Sequence, residues 1–465
     1  MSLDITNLSH IHFIGIGGIS MSALAEIMIT KKYKVTGSDV KDSPLVNKLK
    51  NKGVKIFIGH DAKNIKGADL VVYTSAIGED NPEFVAATKN NIKLMDRATF
   101  LGQLMKEYKN SIAVSGTHGK TTTTGMIATI INDSFKNATM LVGGELDAIG
   151  GNIKIGGNDL ILTEACEYKG NFLKFLPNIG IILNIEEDHL DYFKDIDHIK
   201  DTFTNFSNLL PEDGYLIINN DDNNTHGIIN SSTSNVLAFG MDNKSDYMAK
   251  NITFNKNGFP TYTLVTENGE YDVNLNVVGL HNIYNSLAAI ASCDILDIPT
   301  EKIINSLKSF KGTHRRQEHK GNINGIEIID DYAHHPTEIK ATLKALGNIN
   351  YNNIWCVFQP HTYTRTKALL DEFSTSFENV DKLIITDIYA AREKDNGLVH
   401  STDLVDKLKS ENVDAIYISA FSDIKNYLLE KVQPGDLIVT MGAGSIYKVG
   451  EMVLNSHNKI KAEIR

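Results

Sequence analysis

Residues 112 to 131 read IAVSGTHGKTTTTGMIATII: a short apolar strand, a tight glycine turn, a lysine followed by four threonines, and an apolar helix. This strand–turn–helix order constrains the fold strongly. It aims free backbone N–H groups and the positive end of a helix at one point, where phosphate oxygens are favoured. The strict phosphate-loop pattern G-x-x-x-x-G-K-[ST] fails, because Val114 stands five positions before Gly119. The functional groups nevertheless remain. Gly116 and Gly119 permit the turn, with Thr117 and His118 between them. Lys120 can reach the outer phosphates as a point charge, and Thr121, followed by Thr122, can offer a hydroxyl to Mg²⁺. The loop identifies a nucleotide but leaves its reaction open among kinase, hydrolase and ligase.

The rest of the chain supports an α/β fold with mostly parallel sheets. Residues 10 to 110 alternate apolar runs with amphipathic stretches, and Met21, Leu24, Ala25 and Met28 fall at i, i+3, i+4 and i+7, as one buried helix face requires. A polar segment at 106 to 110 precedes a fresh strand. The second stretch is α/β with an antiparallel addition, strand-rich between about 213 and 278 before helix returns at HNIYNSLAAIASC. From about 313, strands and helices alternate to the end. These breaks divide the chain into units 1–110, 111–312 and 313–465.

Two acidic strand ends follow the loop. LILTEAC places Glu164 at the end of one apolar strand, and IILNIEEDHLDYF places Asp188, His189 and Asp191 beyond another. In an open parallel sheet such ends face one crevice, so Glu164 and His189 are candidate Mg²⁺ ligands beside Lys120. Near the N-terminus, GIGGIS presents Gly15, Gly17 and Gly18 in an imperfect dinucleotide fingerprint, with Asp39 lying 24 residues after Gly15 and Ser20 in place of the third glycine.

With 465 residues, the chain is long enough for several domains. Acidic residues outnumber basic ones 57 to 46, a balance that repels nucleic acid and anionic membranes, so a bound polyanion needs a local site. Cys166, Cys293 and Cys356 lack paired or metal-type spacing, and the sequence near the N-terminus lacks the pattern of a secretory signal. The expectation is a cytosolic protein.

The motifs GTHGKTTTT, NIEEDHLD, HNIYNSLAA, GTHRRQE, DDYAHHPTEI, FQPHTYTRTK and GAGSIYK occur in the order found in the Mur ligases of peptidoglycan synthesis, and the chain resembles that family over nearly its whole length. The displaced glycine is the family's own form of the loop. The resemblance implies an N-terminal Rossmann-like domain for a UDP-sugar, a central P-loop ATPase with the antiparallel addition, and a C-terminal Rossmann-like domain that closes over ATP and an amino acid. It implies ATP and Mg²⁺ as cofactors, with Mn²⁺ able to substitute, and a monomer or homodimer.

Among family members, FQPHTYTRT favours the branch that joins L-alanine to UDP-N-acetylmuramate through an acyl phosphate. One alternative is the branch that attaches a whole tripeptide to the same sugar nucleotide. A non-catalytic nucleotide-responsive protein is another. The resemblance implies that Thr121, Glu164 and His189 position metal. Asn282 and Asn285, three apart and so on one helix face, would serve the nucleotide, with Arg315 or Arg316 and Asp331. Gly15, Gly17, Gly18, Asp39, Thr74 and Ser75 would hold the UDP-sugar, and His335 and Arg365 the muramoyl part. EACEYKGNF departs from the family's more acidic form, with Cys166 where aspartate often stands, so Cys166 and its neighbours are left out of the catalytic set. Thr362 likewise replaces an arginine found in some relatives.

Overall fold

The computed structural model describes residues 8–135, 137–190, 192–391, 393–395 and 397–463, with side chains as far as 456. Asp191 lies outside the described residues. Three sheets follow one another along the chain.

The first contains β1 (His10–Ile14), β2 (Lys34–Asp39), β3 (Lys55–Ile58), β4 (Leu70–Tyr73) and β5 (Lys93–Asp96), in the spatial order 3-2-1-4-5 with every pairing parallel. Strand order reverses between β1 and β4, and a ligand crevice opens beyond the carboxyl ends of such a pair. The glycine loop leaves β1 and runs into α1 (Ile19–Thr30), while Thr74 and Ser75 leave β4.

The second sheet comprises β6 (Asn110–Ser115), β7 (Ala138–Leu146), β8 (Gly151–Lys154), β9 (Leu160–Glu164), β10 (Ile179–Ile182), β11 (Tyr215–Asn219), β12 (Asn235–Gly240), β13 (Tyr247–Phe254), β14 (Pro260–Thr266) and β15 (Gly269–Asn274). Its order is 15-14-13-12-11-10-6-9-7-8. β13 to β15 form the antiparallel addition expected from their turn-punctuated alternation. β9, β6 and β10 are neighbours, with Val114 paired to Glu164 and Ser115 to Ile182. The nucleotide loop, Glu164 and the 183–189 segment therefore emerge side by side, as the strand-end argument requires. The helix that follows the loop spans Lys120–Ser134, and HNIYNSLAAIASCD forms His281–Asp294.

The third sheet holds β16 (Glu318–Ile323), β17 (Ile326–Asp331), β18 (Ile354–Phe358), β19 (Lys382–Ile385), β20 (Ala415–Tyr417) and β21 (Leu437–Met441), ordered 16-17-21-18-19-20; only the β16–β17 pairing is antiparallel. Separate apolar clusters lie on its two faces. By contrast, one cluster runs from Phe13 and Leu24 of the first unit through Phe100 to Phe172 and Phe203 of the second, so these two units share a core. Among the described residues, no helix is long and apolar enough to cross a membrane.

Candidate active site

Two glycines shape the nucleotide loop. Gly116 has φ +136° and Gly119 φ +84°, and a Cβ on Gly119 would lie 2.5 Å from Asn285 Oδ1. L-residues are strained in such conformations, so the turn needs glycine. The loop is also tied to the segment after β10. Thr117 N donates to the Asn184 carbonyl at 3.0 Å, His118 N to Asn184 Oδ1 at 2.8 Å, and Glu186 N to Thr117 Oγ1 at 2.9 Å.

Lys120 opens the helix. Its Nζ donates to the carbonyls of Gly116 and Thr117 and lies 3.0 Å from the nearer Glu167 oxygen. Burial pushes the ammonium pKa down, but Glu167 more than compensates, and the group stays charged.

The acidic side of the site includes a residue that sequence reasoning set aside. Glu167 is 2% exposed and stands between Lys120 and His189, its other oxygen 3.8 Å from His189 Nε2. Glu164 accepts the Gly143 N–H at 2.7 Å, and the next residue, Gly144, faces the Thr121 methyl. His189, at φ +55°, packs its ring against Tyr168 at 4.6 Å. Burial lowers the imidazole pKa below its ordinary value, so the ring is neutral at neutral pH and free to donate a lone pair. A hydroxyl, two carboxylates and a neutral imidazole form a donor set suited to a hard divalent cation. Thr121, Glu164, Glu167 and His189 thus fit the implied metal by donor type, while among the described residues the acid and imidazole groups whose ligand atoms lie within 4.8 Å of one another are His118, Glu186 and His335.

Beside the loop opens a cavity of about 1160 Å³, large enough for a nucleoside triphosphate. Gly119, Thr122, Asn282, Asn285, Arg316 and Asp331 line it. The two amides interlock, with Asn285 Nδ2 donating to Asn282 Oδ1 at 2.9 Å and Asn282 Nδ2 to the Val278 carbonyl at 2.8 Å. Asp331 ends β17, and burial, only partly offset by Arg316, raises its pKa to about 6. The adjacent arginines diverge. Arg316 faces the cavity, whereas Arg315 turns into the third unit, donating to Asp330 at 3.1 Å and the Gly442 carbonyl at 2.8 Å between the rings of Tyr332 and Tyr447.

The second and third units meet in a clasp of charged side chains. His118 Nδ1 is 3.2 Å from Glu338, in the first turn of the helix Pro336–Gly347, and its Nε2 is 3.3 Å from Glu186. Burial would depress this imidazole, but the two carboxylates raise it to about 9. His335 packs 4.8 Å from His118 and contacts the Glu187 carbonyl at 3.0 Å, while Thr337 Oγ1 donates to Glu186 at 2.7 Å. Arg365 holds Asp188 through two nitrogens at 2.9 and 3.2 Å, keeping that carboxyl well below the usual range despite burial. His335 and Arg365 are therefore engaged across the closed seam.

In the first unit, Gly15 N and Ile16 N donate to the Ser38 carbonyl, and Asp39 Oδ2 accepts the Gly17 N–H at 2.8 Å. Asp39 thus braces the glycine loop. Gly18 N returns to the Gly15 carbonyl at 3.2 Å, Thr74 packs on Gly15, and Ser75 is exposed at the crevice mouth.

The sequence matches the Mur ligase family in three consecutive stretches: its catalytic domain at residues 10–109, its middle domain at 114–293 and its glutamate ligase domain at 315–444. The chain belongs to the Mur ligase family. It is 54% identical over 459 residues to the UDP-N-acetylmuramate–L-alanine ligase of Clostridium acetobutylicum, covering 98% of this chain and all of that one. The protein of the same name from Acetivibrio thermocellus is 53% identical over 460 residues, covering 98% of each. The crystal structure of the UDP-N-acetylmuramate–alanine ligase of Thermotoga maritima superposes with a TM-score of 0.82 at 28% identity, covering 97% of this chain and all of that one.

In this Mur ligase, the elements expected to hold nucleotide meet at one place. Glu167 joins them, and its signal in the sequence was an acid three residues beyond Glu164. Gly119 and Thr122, on either side of Lys120 in the chain, line the nucleotide-sized cavity, and lysine, carboxylates and a neutral imidazole beside that loop can position a triphosphate and shield its charge from an incoming anion.

Proposed function

We propose that this Mur ligase joins L-alanine to UDP-N-acetylmuramate with cleavage of ATP to ADP and phosphate. The observation that carries the reading is identity above 50% with alanine-adding ligases across 98% of the chain. The site supports it chemically. A carboxylate is a poor electrophile, so its oxygen first attacks the γ-phosphorus while the bond to ADP breaks, giving an acyl phosphate. The alanine nitrogen then adds to the acyl carbon, loses a proton and expels phosphate.

Lys120 neutralises charge on the transferring phosphoryl group, exchanging its Glu167 contact for phosphate oxygens. Thr121, Glu164, Glu167 and His189 would hold Mg²⁺, which supplies further charge neutralisation when bound. Asn282, Asn285, Arg316 and Asp331 form the nucleotide wall. Gly15, Gly17 and Gly18, braced by Asp39, hold the sugar nucleotide beside Thr74 and Ser75, and His335 and Arg365 serve the muramoyl end once the clasp rearranges. Units 1–110, 111–312 and 313–465 act as sugar-nucleotide, ATP and closing domains in the cytoplasm. A coupled ADP-release assay tests the reading. Release should require both UDP-N-acetylmuramate and L-alanine, and equal release without the sugar nucleotide would overturn it.

A further inference from the structure

Three features left unexplained by the nucleotide site converge at the seam between the first and second units. Ser20 occupies the third glycine position of the glycine loop, Cys166 departs from the family's acidic form, and Arg97 begins the helix Arg97–Met105 directly after β5. Gly102 of that helix packs against the backbone carbonyl of Lys174, leaving no room for a Cβ. Asn152 of the second unit donates to the Ile19 carbonyl at 3.3 Å, at the start of α1. Helix and loop are thus both held against the second unit, with Arg97 between them.

The guanidinium donates to Ser20 Oγ at 3.1 Å and, among the described residues, makes no ion pair. The adjacent Asp96 is already committed. It accepts from Ala98 N and Thr99 N at 3.1 Å and from Thr99 Oγ1 at 2.5 Å, and it pairs with Lys174 at 3.0 Å. A partly buried guanidinium has five N–H donors in a planar fork and is costly to leave uncompensated. Its partner Ser20 stands in the first turn of α1, just after Gly17 and Gly18, which spend their N–H groups on Asp39 and Gly15. Of the backbone donors there, these two glycine amides are spent, which leaves the amides of the first helical turn to face a dianion.

We propose that Arg97 grips the diphosphate of the sugar nucleotide in a bidentate fork, with Ser20 holding the guanidinium over the start of α1. The inference rests on the sugar-nucleotide reading above. It explains why a serine replaces the third glycine: its hydroxyl orients the arginine, while backbone amides of the first helical turn meet the phosphates from the other side.

Calorimetric titration with UDP, uridine and UDP-N-acetylmuramate tests it on wild type, Arg97→Ala and Arg97→Lys, with ATP binding and melting temperature measured on each to establish folding. For Arg97→Ala, the dissociation constant of UDP should rise about tenfold or more, that of uridine should hold, and Arg97→Lys should fall between. In turnover, the KM for UDP-N-acetylmuramate should rise far more than kcat falls. Undiminished UDP binding by Arg97→Ala overturns the inference alone, as does loss confined to UDP-N-acetylmuramate, which would place the arginine on the muramoyl carboxylate. A wild-type protein that binds none of the three overturns the sugar-nucleotide reading as well.

Discussion

At the scale of single residues, the site is a set of charges that satisfy one another until substrates arrive. Lys120 rests on Glu167 and Arg365 on Asp188. Lys120→Ala should reduce ADP release by roughly 10²–10³-fold, the range for losing one group that stabilises developing charge, and steady-state kinetics on folded protein will check it. Glu167→Gln keeps the shape but removes charge from both Lys120 and His189, and should lower activity about 10–100-fold with a raised magnesium requirement. A magnesium titration of activity unchanged from wild type would remove Glu167 from the metal set. Sequence reasoning reached Glu164 because strand ends in a parallel sheet converge predictably. It passed over Glu167 because EACEYKGNF departs from the family's more acidic form, and the irregular segment that follows, with Lys169 at φ +56° and Gly170 at +63°, has no periodicity to show that this carboxylate turns toward Lys120.

At the scale of elements, the nucleotide loop and the helix Arg97–Met105 depend on glycines for different reasons. Gly119→Ala would strain a left-handed backbone and press on Asn285, so ATP affinity should fall roughly tenfold or more with the melting temperature of the free protein changing less. Gly102→Ala has no such backbone strain but meets the carbonyl of Lys174, an unyielding neighbour. It should destabilise the fold by about 1–3 kcal/mol, measured by denaturant unfolding, with ATP affinity retained in the folded fraction. Elements of this kind were readable from pattern alone. The β-α alternation, the strand-rich stretch near 213–278 and the shared helix face of Asn282 and Asn285 follow from period and turn chemistry, although within that stretch only β13 to β15 pair antiparallel and β11 and β12 continue the parallel sheet. The divergence of Arg315 from Arg316 was not readable. It is decided by Asp330, the Gly442 carbonyl and the Tyr447 ring, the last two more than a hundred residues away in sequence, and by Arg315's own φ of +63°.

At the scale of the whole molecule, closure of the third unit on the second depends on ionisation. His118 has a pKa raised from its ordinary 6.5 to about 9 because, against the effect of burial, Glu186 and Glu338 favour its charged form. A raised imidazole pKa contributes stability that is complete below about 6.5 and is lost as pH climbs through about 9. Small-angle scattering of the free protein should therefore show a larger radius of gyration at pH 9.5 than at pH 6.5. His118→Gln should lose most of that difference; an equal change in the variant would assign it to other groups. The Arg365–Asp188 pair, 177 positions apart in sequence, was equally hidden from local reasoning, since only the folded seam brings the two together. The central claim is that the sugar carboxylate is activated by phosphorylation before the amide forms. Turnover of UDP-N-acetylmuramate labelled with ¹⁸O in its carboxylate, in the presence of ATP and L-alanine, tests it most directly: one labelled oxygen should appear in the released phosphate, and phosphate free of label alongside amide product would contradict the account.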